Sequence, residues 1–169
     1  MSRLVLSLLL VAAAHVPVHA EIVERTFFSP ALGVQKAYRV FLPSGYFETA
    51  QRFPVIYLLH GWGVTEAYWS ESLGLEAAAQ AAKLRALVVM PDGDRSYYAN
   101  SKVEVNYEAC LSGGTQGGNP AEPRSTLCVR RPNYEDYIVR DLVQHIDSEY
   151  RTIPSREGRA LSGESAGGY

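Results

Sequence analysis

The hydrophobic pattern of the chain changes period several times, and each change marks an element. Residues 22–28 and 35–42 read as strands; in the second, Lys36, Tyr38, Val40 and Leu42 alternate with Ala37, Arg39 and Phe41. Neither face of these two segments is wholly apolar, the pattern of a sheet edge. Residues 55–59 are then apolar without interruption, as expected of a strand buried on both faces of a parallel sheet. Residues 86–90 repeat that pattern before Pro91-Asp92-Gly93 ends it. Between them, the alanine-rich residues 73–84 are helical by propensity. The clearest helix spans residues 134–150: Tyr134, Ile138, Leu142, Ile146 and Tyr150 recur every four residues, Val139 and Val143 widen the stripe, and Asn133 is placed to cap it. A short strand over residues 159–162 follows. Strands alternating with helices predict the α/β class, a mostly parallel sheet with helices on both faces.

Residues 1–20 follow another pattern. Arg3 supplies a positive start, residues 4–14 an apolar centre and Val18-His19-Ala20 a small-residue cleavage site, which together predict a signal peptide cut after Ala20 and a secreted or periplasmic protein. The apolar centre covers only about half of the ~20 residues a bilayer-spanning helix needs, so stable membrane insertion is not expected. Residues 21–169 then form the rest of the chain, with His60 and His145 as its two histidines. Sixteen Lys plus Arg against eighteen Asp plus Glu give a net charge of −2 without a basic stripe, which argues against nucleic acid as a partner.

Export also bears on Cys110 and Cys128, the two cysteines. An oxidising compartment favours a disulfide between them, closing a Gly-, Pro- and Ser-rich segment; the other reading is two small buried hydrophobes. The glycine run at residues 113–118 has neither a preceding strand nor a Lys-Ser/Thr ending and is not a phosphate loop. No spacing of His and Cys suits a metal, and no cofactor is implied.

Gly163-Glu164-Ser165-Ala166-Gly167 matches G-x-S-x-G, the sharp strand-to-helix turn that lifts a serine hydroxyl above a sheet. The glycine and serine content predicts only about 0.1 chance matches, and this match follows a strand candidate. Ser165 is therefore the candidate nucleophile. His60-Gly61-Trp62-Gly63 directly follows the 55–59 strand, where an oxyanion hole belongs. Its donors are assigned to the backbone N–H groups of Trp62 and Ala166, with Gly61, Gly63, Gly163 and Gly167 supporting the two turns. Read without Ser165, the same four residues could be a plain strand-terminating turn. In this architecture the triad runs Ser, then Asp or Glu, then His. His60, ahead of Ser165, is accordingly assigned to shaping the oxyanion turn, His145 to a helix boundary, and Asp92, Asp94, Asp136, Asp141 and Asp147 to turns, caps or solvated faces.

The stretches FPVIYLLHGWG, VVMPDGDRSYYANS, YEDYIVRDLVQHIDSEYRTI and GRALSGESAGGY, in this order, resemble the successive blocks of the esterase D type esterase family, over about residues 53–169. That group includes S-formylglutathione hydrolases, feruloyl esterases and mycobacterial mycolyltransferases. The resemblance implies an α/β-hydrolase fold, Ser165 as nucleophile and Trp62 and Ala166 as oxyanion donors. The family's acid and histidine lie well beyond its nucleophile, so residues 21–169 are expected to be the N-terminal part of one α/β-hydrolase domain, truncated just after the elbow. With four residues after Ser165 the elbow's helix cannot form, and the 159–162 strand would keep an open edge. Such a chain alone is expected to aggregate and to be inactive.

Export suits a thiol ester of the cytosol poorly, and a small-molecule or carbohydrate-linked ester better. Trp62, Tyr68 and Trp69 after one strand, and Tyr97 and Tyr98 after the next, could stack on sugars or aromatic acyl groups; alternatively they pack the loops. The segment between the cysteines is either a lid or an insertion without function. The leading reading is a secreted serine carboxylester hydrolase working through an acyl-enzyme. Its alternatives are an acyltransferase, in which an alcohol replaces water in the second step, and a non-catalytic binding domain on a hydrolase scaffold.

Overall fold

The structure, a computed structural model, describes residues 19–113 and 127–169. Its strands are β1 (Glu21–Ser29), β2 (Val34–Leu42), β3 (Val55–Leu59), β4 (Leu87–Pro91) and β5 (Arg159–Gly163), joined in one sheet of order β1-β2-β4-β3-β5. β3 is parallel to both of its neighbours, β4 and β5. β2 is antiparallel to both β1 and β4. The sheet is therefore mixed where a mostly parallel one was expected, because β1 and β2 form a hairpin whose connection is too short for a parallel crossover. β2 also lies inside the sheet, contrary to its predicted edge position. Its two cations misled the pattern, since both are neutralised within the fold: Lys36 by Asp92 and Asp94, and Arg39 by Glu24 and Glu71.

Alternation along the central strands loads both faces, as the uninterrupted apolar runs require. Tyr38, Val40, Leu42, Val55, Tyr57, Leu59, Leu87 and Val89 share one buried layer. Phe41, Val88 and Met90, with Ile56 and Leu58, form the other. The second layer is covered by Trp69 and by helix α1 (Leu75–Ala81), shorter than predicted because a π-helical turn, Tyr68–Ser72, and Gly74 precede it. Ala20, at the end of the expected leader, is buried in the same layer; the rest of that leader, apart from His19, lies outside the described residues.

After helix α2 (Tyr107–Leu111), helix α3 covers the first layer. It runs without a break through Tyr134–Asp136, a π-helical stretch Tyr137–Leu142, and Val143–Glu149. The π stretch has a reason in the sequence. An apolar stripe spaced strictly every four residues drifts by about 40° per step on an α-helix of 3.6 residues per turn. A wider i→i+5 turn takes up that drift, so that Tyr134, Ile138, Leu142 and Ile146 are all buried. Val139, expected to widen the stripe, instead points outward at 58% exposure. Asn133 precedes the helix without capping it; its side-chain amide donates to the Ala31 carbonyl at 3.4 Å.

Cys110 in α2 and Cys128 form the expected disulfide, with Cα atoms 5.7 Å apart. Most of the segment they enclose, with the glycine run beyond Gly113, lies outside the described residues. Among the described residues β5 pairs with β3 alone, and its Leu161 is exposed.

The two sides of α3 should respond differently to truncation. Leu142→Ala should lower unfolding stability in urea by about 2–5 kcal/mol, whereas Val139→Ala should change it by less than about 0.5 kcal/mol.

Candidate active site

β3 and β5 run parallel with Leu59 opposite Gly163, so both strands end at the same, carboxyl end of the sheet and the turns that follow them meet. β5 passes through Glu164 into Ser165, whose φ of 52° is in the left-handed region that non-glycine residues avoid. A 3-10 turn, Ser165–Gly168, follows. The Glu164 N–H donates to the Leu59 carbonyl at 3.2 Å and the Gly167 N–H to the Glu164 carbonyl at 2.8 Å, fastening the elbow to the end of β3. Only glycine fits at the crossing point: a Cβ on Gly167 would sit 2.5 Å from the Leu59 oxygen and 2.8 Å from the His60 oxygen. A Cβ on Gly163 would collide with the Gly167 carbonyl. Ser165 is exposed and Ala166 buried. The Ala166 N–H precedes the first hydrogen bond of the turn and so belongs to the unpaired N–H groups of a helical N-terminus.

The turn after β3 closes over the other side of the serine. A Cβ on Gly61 would lie 3.3 Å from Ser165 Cβ and 3.9 Å from its Oγ. Gly63, at φ 80°, turns the chain away, and Trp62 stands between the two glycines, 52% exposed. The sequence-predicted Ser165, Trp62, Ala166, Gly61, Gly63, Gly163 and Gly167 are thus brought together.

His60 is buried beneath this turn and serves it from below. Its Nε2 lies 2.8 Å from the Gly93 N–H, which can only donate, and its Nδ1 lies 2.8 Å from the Gly61 carbonyl, which can only accept. These partners select the neutral ring protonated on Nδ1. The expected role in shaping the turn fits this geometry.

The residues that sequence reasoning missed lie one layer deeper. Asp92 and Asp94 do form the turn after β4, but they are buried rather than solvated. The Lys36 ammonium, itself fully buried, bonds Asp92 Oδ2 at 2.5 Å and Asp94 Oδ1 at 2.8 Å. Tyr134 donates its hydroxyl to Asp94 Oδ2 at 2.6 Å, Tyr137 to the Asp92 carbonyl at 3.1 Å, and Tyr98 to the His60 carbonyl at 3.1 Å. Asp141 is buried too, accepting from the Ser29 hydroxyl and the Ala31 N–H, both at 2.7 Å. A signal for the network was present: Lys36 stands in register with Tyr38, Val40 and Leu42 on the buried face of β2, where an isolated ammonium is prohibitive.

Of the four non-glycine residues at positive φ among the described residues, three flank the site: Asp94 (53°), Tyr98 (55°) and Ser165 (52°). Strain so placed persists only where its surroundings hold it. For Tyr98 the sequence left open substrate stacking or packing of its loop. The ring packs against Gly93 and the hydroxyl is committed to His60, so it supports the loop. Tyr97 does face outward, 5.4 Å from Trp62 between ring centres. Both line a cavity of about 510 Å³ whose walls include Asp94, Asn100, Val105, Leu127 and Tyr134. Ser165 lies outside its lining. Tyr68 reaches the elbow, its hydroxyl 2.9 Å from Glu164 Oε2, while Trp69 joins the apolar layer. His145 stacks on Phe27 at 4.6 Å, far from the serine in the fold.

Two carboxylates share one ammonium, and their titrations separate. Burial raises Asp92, but the Lys36 ammonium, together with the hydrogen bond from the Asp94 N–H, outweighs it and holds the carboxyl well below the usual range. Asp94 is pushed up to about 7 by burial and by repulsion from Asp92. A carboxyl raised in the folded state stabilises fully below its ordinary range, and that contribution is lost as pH climbs to the folded value. The melting temperature of the protein relative to Asp94→Asn should therefore fall between about pH 4 and pH 7. A difference that is constant across that range would contradict the assignment.

A family model described as “Putative esterase” matches residues 29–169. The chain is 27% identical over 145 residues to an esterase of Mycobacterium tuberculosis, covering 85% of this chain and 26% of that protein. It is 26% identical over 158 residues to an endo-1,4-beta-xylanase/feruloyl esterase of Xylanibacter ruminicola, covering 89% and 19%. Among solved structures, a ferulic acid esterase superposes with a TM-score of 0.63 at 25% identity over 89% of this chain and 50% of its own. A fluorophosphonate-binding serine hydrolase of Staphylococcus aureus shares the fold, with a TM-score of 0.64 at 21% identity over 88% and 49%. The chain thus spans about a quarter or less of these curated relatives and half of these solved chains. With its mixed sheet, helices on both faces and a G-x-S-x-G elbow closed by the His60–Gly63 turn, this chain has the α/β-hydrolase fold and belongs to that esterase family.

Proposed function

We propose that this chain carries the nucleophile and oxyanion hole of a secreted serine carboxylester hydrolase. The observation that carries the reading is the approach of the Gly61 turn to Ser165, so close that a Cβ added to Gly61 would lie 3.3 Å from Ser165 Cβ, at a left-handed elbow open to solvent. In the reaction, Ser165 Oγ attacks the ester carbonyl carbon and yields its proton to a base. The carbonyl oxygen becomes an oxyanion facing the N–H groups of Trp62 and Ala166. Collapse expels the alcohol and leaves an acyl-serine, which water then hydrolyses. His60 is not that base, because its Nε2 is occupied by Gly93 and its Nδ1 by Gly61. The reading assigns proton transfer to a histidine and an acid following the serine, outside residues 1–169, in the order usual for this architecture.

Small-molecule or carbohydrate-linked esters are the proposed substrates. Relatives named as feruloyl or ferulic acid esterases support an aromatic acid as the acyl part, and the Trp62–Tyr97 pair offers rings to stack on it. Export is supported by the sequence of residues 1–20 and by the Cys110–Cys128 disulfide.

A fluorophosphonate probe on the whole gene product should label Ser165. Ser165→Ala should abolish labelling and lower hydrolysis of p-nitrophenyl acetate and methyl ferulate by on the order of 10⁴-fold or more. Labelling that survives the substitution would refute the assignment. Faster formation of a new ester than of free acid in excess alcohol would instead favour an acyltransferase.

A further inference from the structure

We infer that Lys36 is a positioning residue for the oxyanion turn, acting through the Asp92–Asp94 turn and His60. Stability alone gives little reason for its charge. Burying an ammonium between two carboxylates carries a desolvation penalty that their attraction roughly offsets, and apolar replacements of such groups are often neutral or stabilising. That holds for replacing the whole triad; Met at Lys36 alone would fill the volume but leave Asp92 and Asp94 buried without their counter-charge. What the ammonium adds is a fixed geometry for the loop after β4.

The contacts form one unbroken series. Lys36 Nζ ties Asp92 and Asp94, the residues on either side of Gly93, and so holds Asp94 at its left-handed φ of 53°. Asp92 Oδ1 accepts from the Asp94 N–H at 2.9 Å, which closes the turn on itself. The Gly93 N–H is thereby aimed at His60 Nε2, leaving Nδ1–H to donate to the Gly61 carbonyl. The last step is covalent. The Gly61 carbonyl and the Trp62 N–H are opposite ends of one planar peptide unit, so holding the carbonyl oxygen fixes the direction of the N–H. A cation on β2 thus sets the aim of a donor that belongs to the turn after β3.

In its catalytic readout this inference rests on the esterase reading; in its structural readout it does not. The test compares the whole gene product with Lys36→Met. Amide exchange in the peptide over residues 60–64 should accelerate about tenfold or more, with peptides from β1 and α1 unchanged. For p-nitrophenyl acetate, kcat should fall by about tenfold, short of the 10²–10³-fold that loss of a whole oxyanion donor brings, with KM within about twofold. Affinity for a trifluoromethyl ketone, whose adduct carries the oxyanion, should fall by the same factor as kcat. Unchanged exchange at residues 60–64 in a folded variant overturns the inference, as does a loss carried by KM alone. If Lys36→Met does not fold, K36M/D92N/D94N removes all three charges together and is measured in its place. The same losses are expected there, and wild-type exchange and kcat would overturn the proposal. Absence of any hydrolysis by the parent protein would count against the esterase reading, and the exchange measurement alone would then decide the role of Lys36.

Discussion

The structure depends on the parallel pairing of β3 with β5. Because Leu59 and Gly163 are partners, two chain segments about a hundred residues apart leave the sheet at its carboxyl end and turn toward each other. Their backbones then approach closely enough that side chains are excluded at Gly163 and Gly167 and crowded at Gly61. The hydrogen bond from Glu164 to Leu59 holds the crossing. A serine held in a left-handed conformation at such a point is exposed at the end of the sheet, at the start of the 3-10 turn Ser165–Gly168.

Strain at Ser165 and in the loop after β4 has to be maintained by something, and much of the support is polar. One ammonium, two carboxylates, a neutral imidazole and three tyrosine hydroxyls link β2, the loop after β4, the turn after β3 and α3. Such a network specifies geometry more than it adds stability, since each member gives up water to join it. It lies directly beneath the oxyanion turn, where small errors in direction would matter most.

Much of this was legible in the sequence, and the failures are instructive. The apolar runs at residues 55–59 and 86–90 announced buried strands because burial on both faces leaves no room for a polar residue. Ser165 and Trp62 could be named because the glycines around them have a steric purpose that survives in the sequence. Lys36 and Arg39 were misleading for the same physical reason in both cases: charge on a strand reads as exposure unless its distant partners are known, and Asp92 and Asp94 stand more than fifty residues away. Tyr98 could be read either as a substrate contact or as loop packing because an aromatic residue in a loop carries no mark of where its hydroxyl will bond. The four-residue spacing in α3 did encode the π stretch, through its departure from 3.6, but was read as an ordinary helix.

The central claim is that two main-chain amides face the oxygen that Ser165 would make negative. It is tested most directly by a crystal structure of the gene product with a trifluoromethyl ketone bound to the serine. The account predicts a covalent bond to Ser165 Oγ, with the adduct's oxyanion about 2.7–3.1 Å from both the Trp62 and Ala166 nitrogens. An adduct oxygen turned to solvent or toward other donors, with those two amides unused, would contradict it.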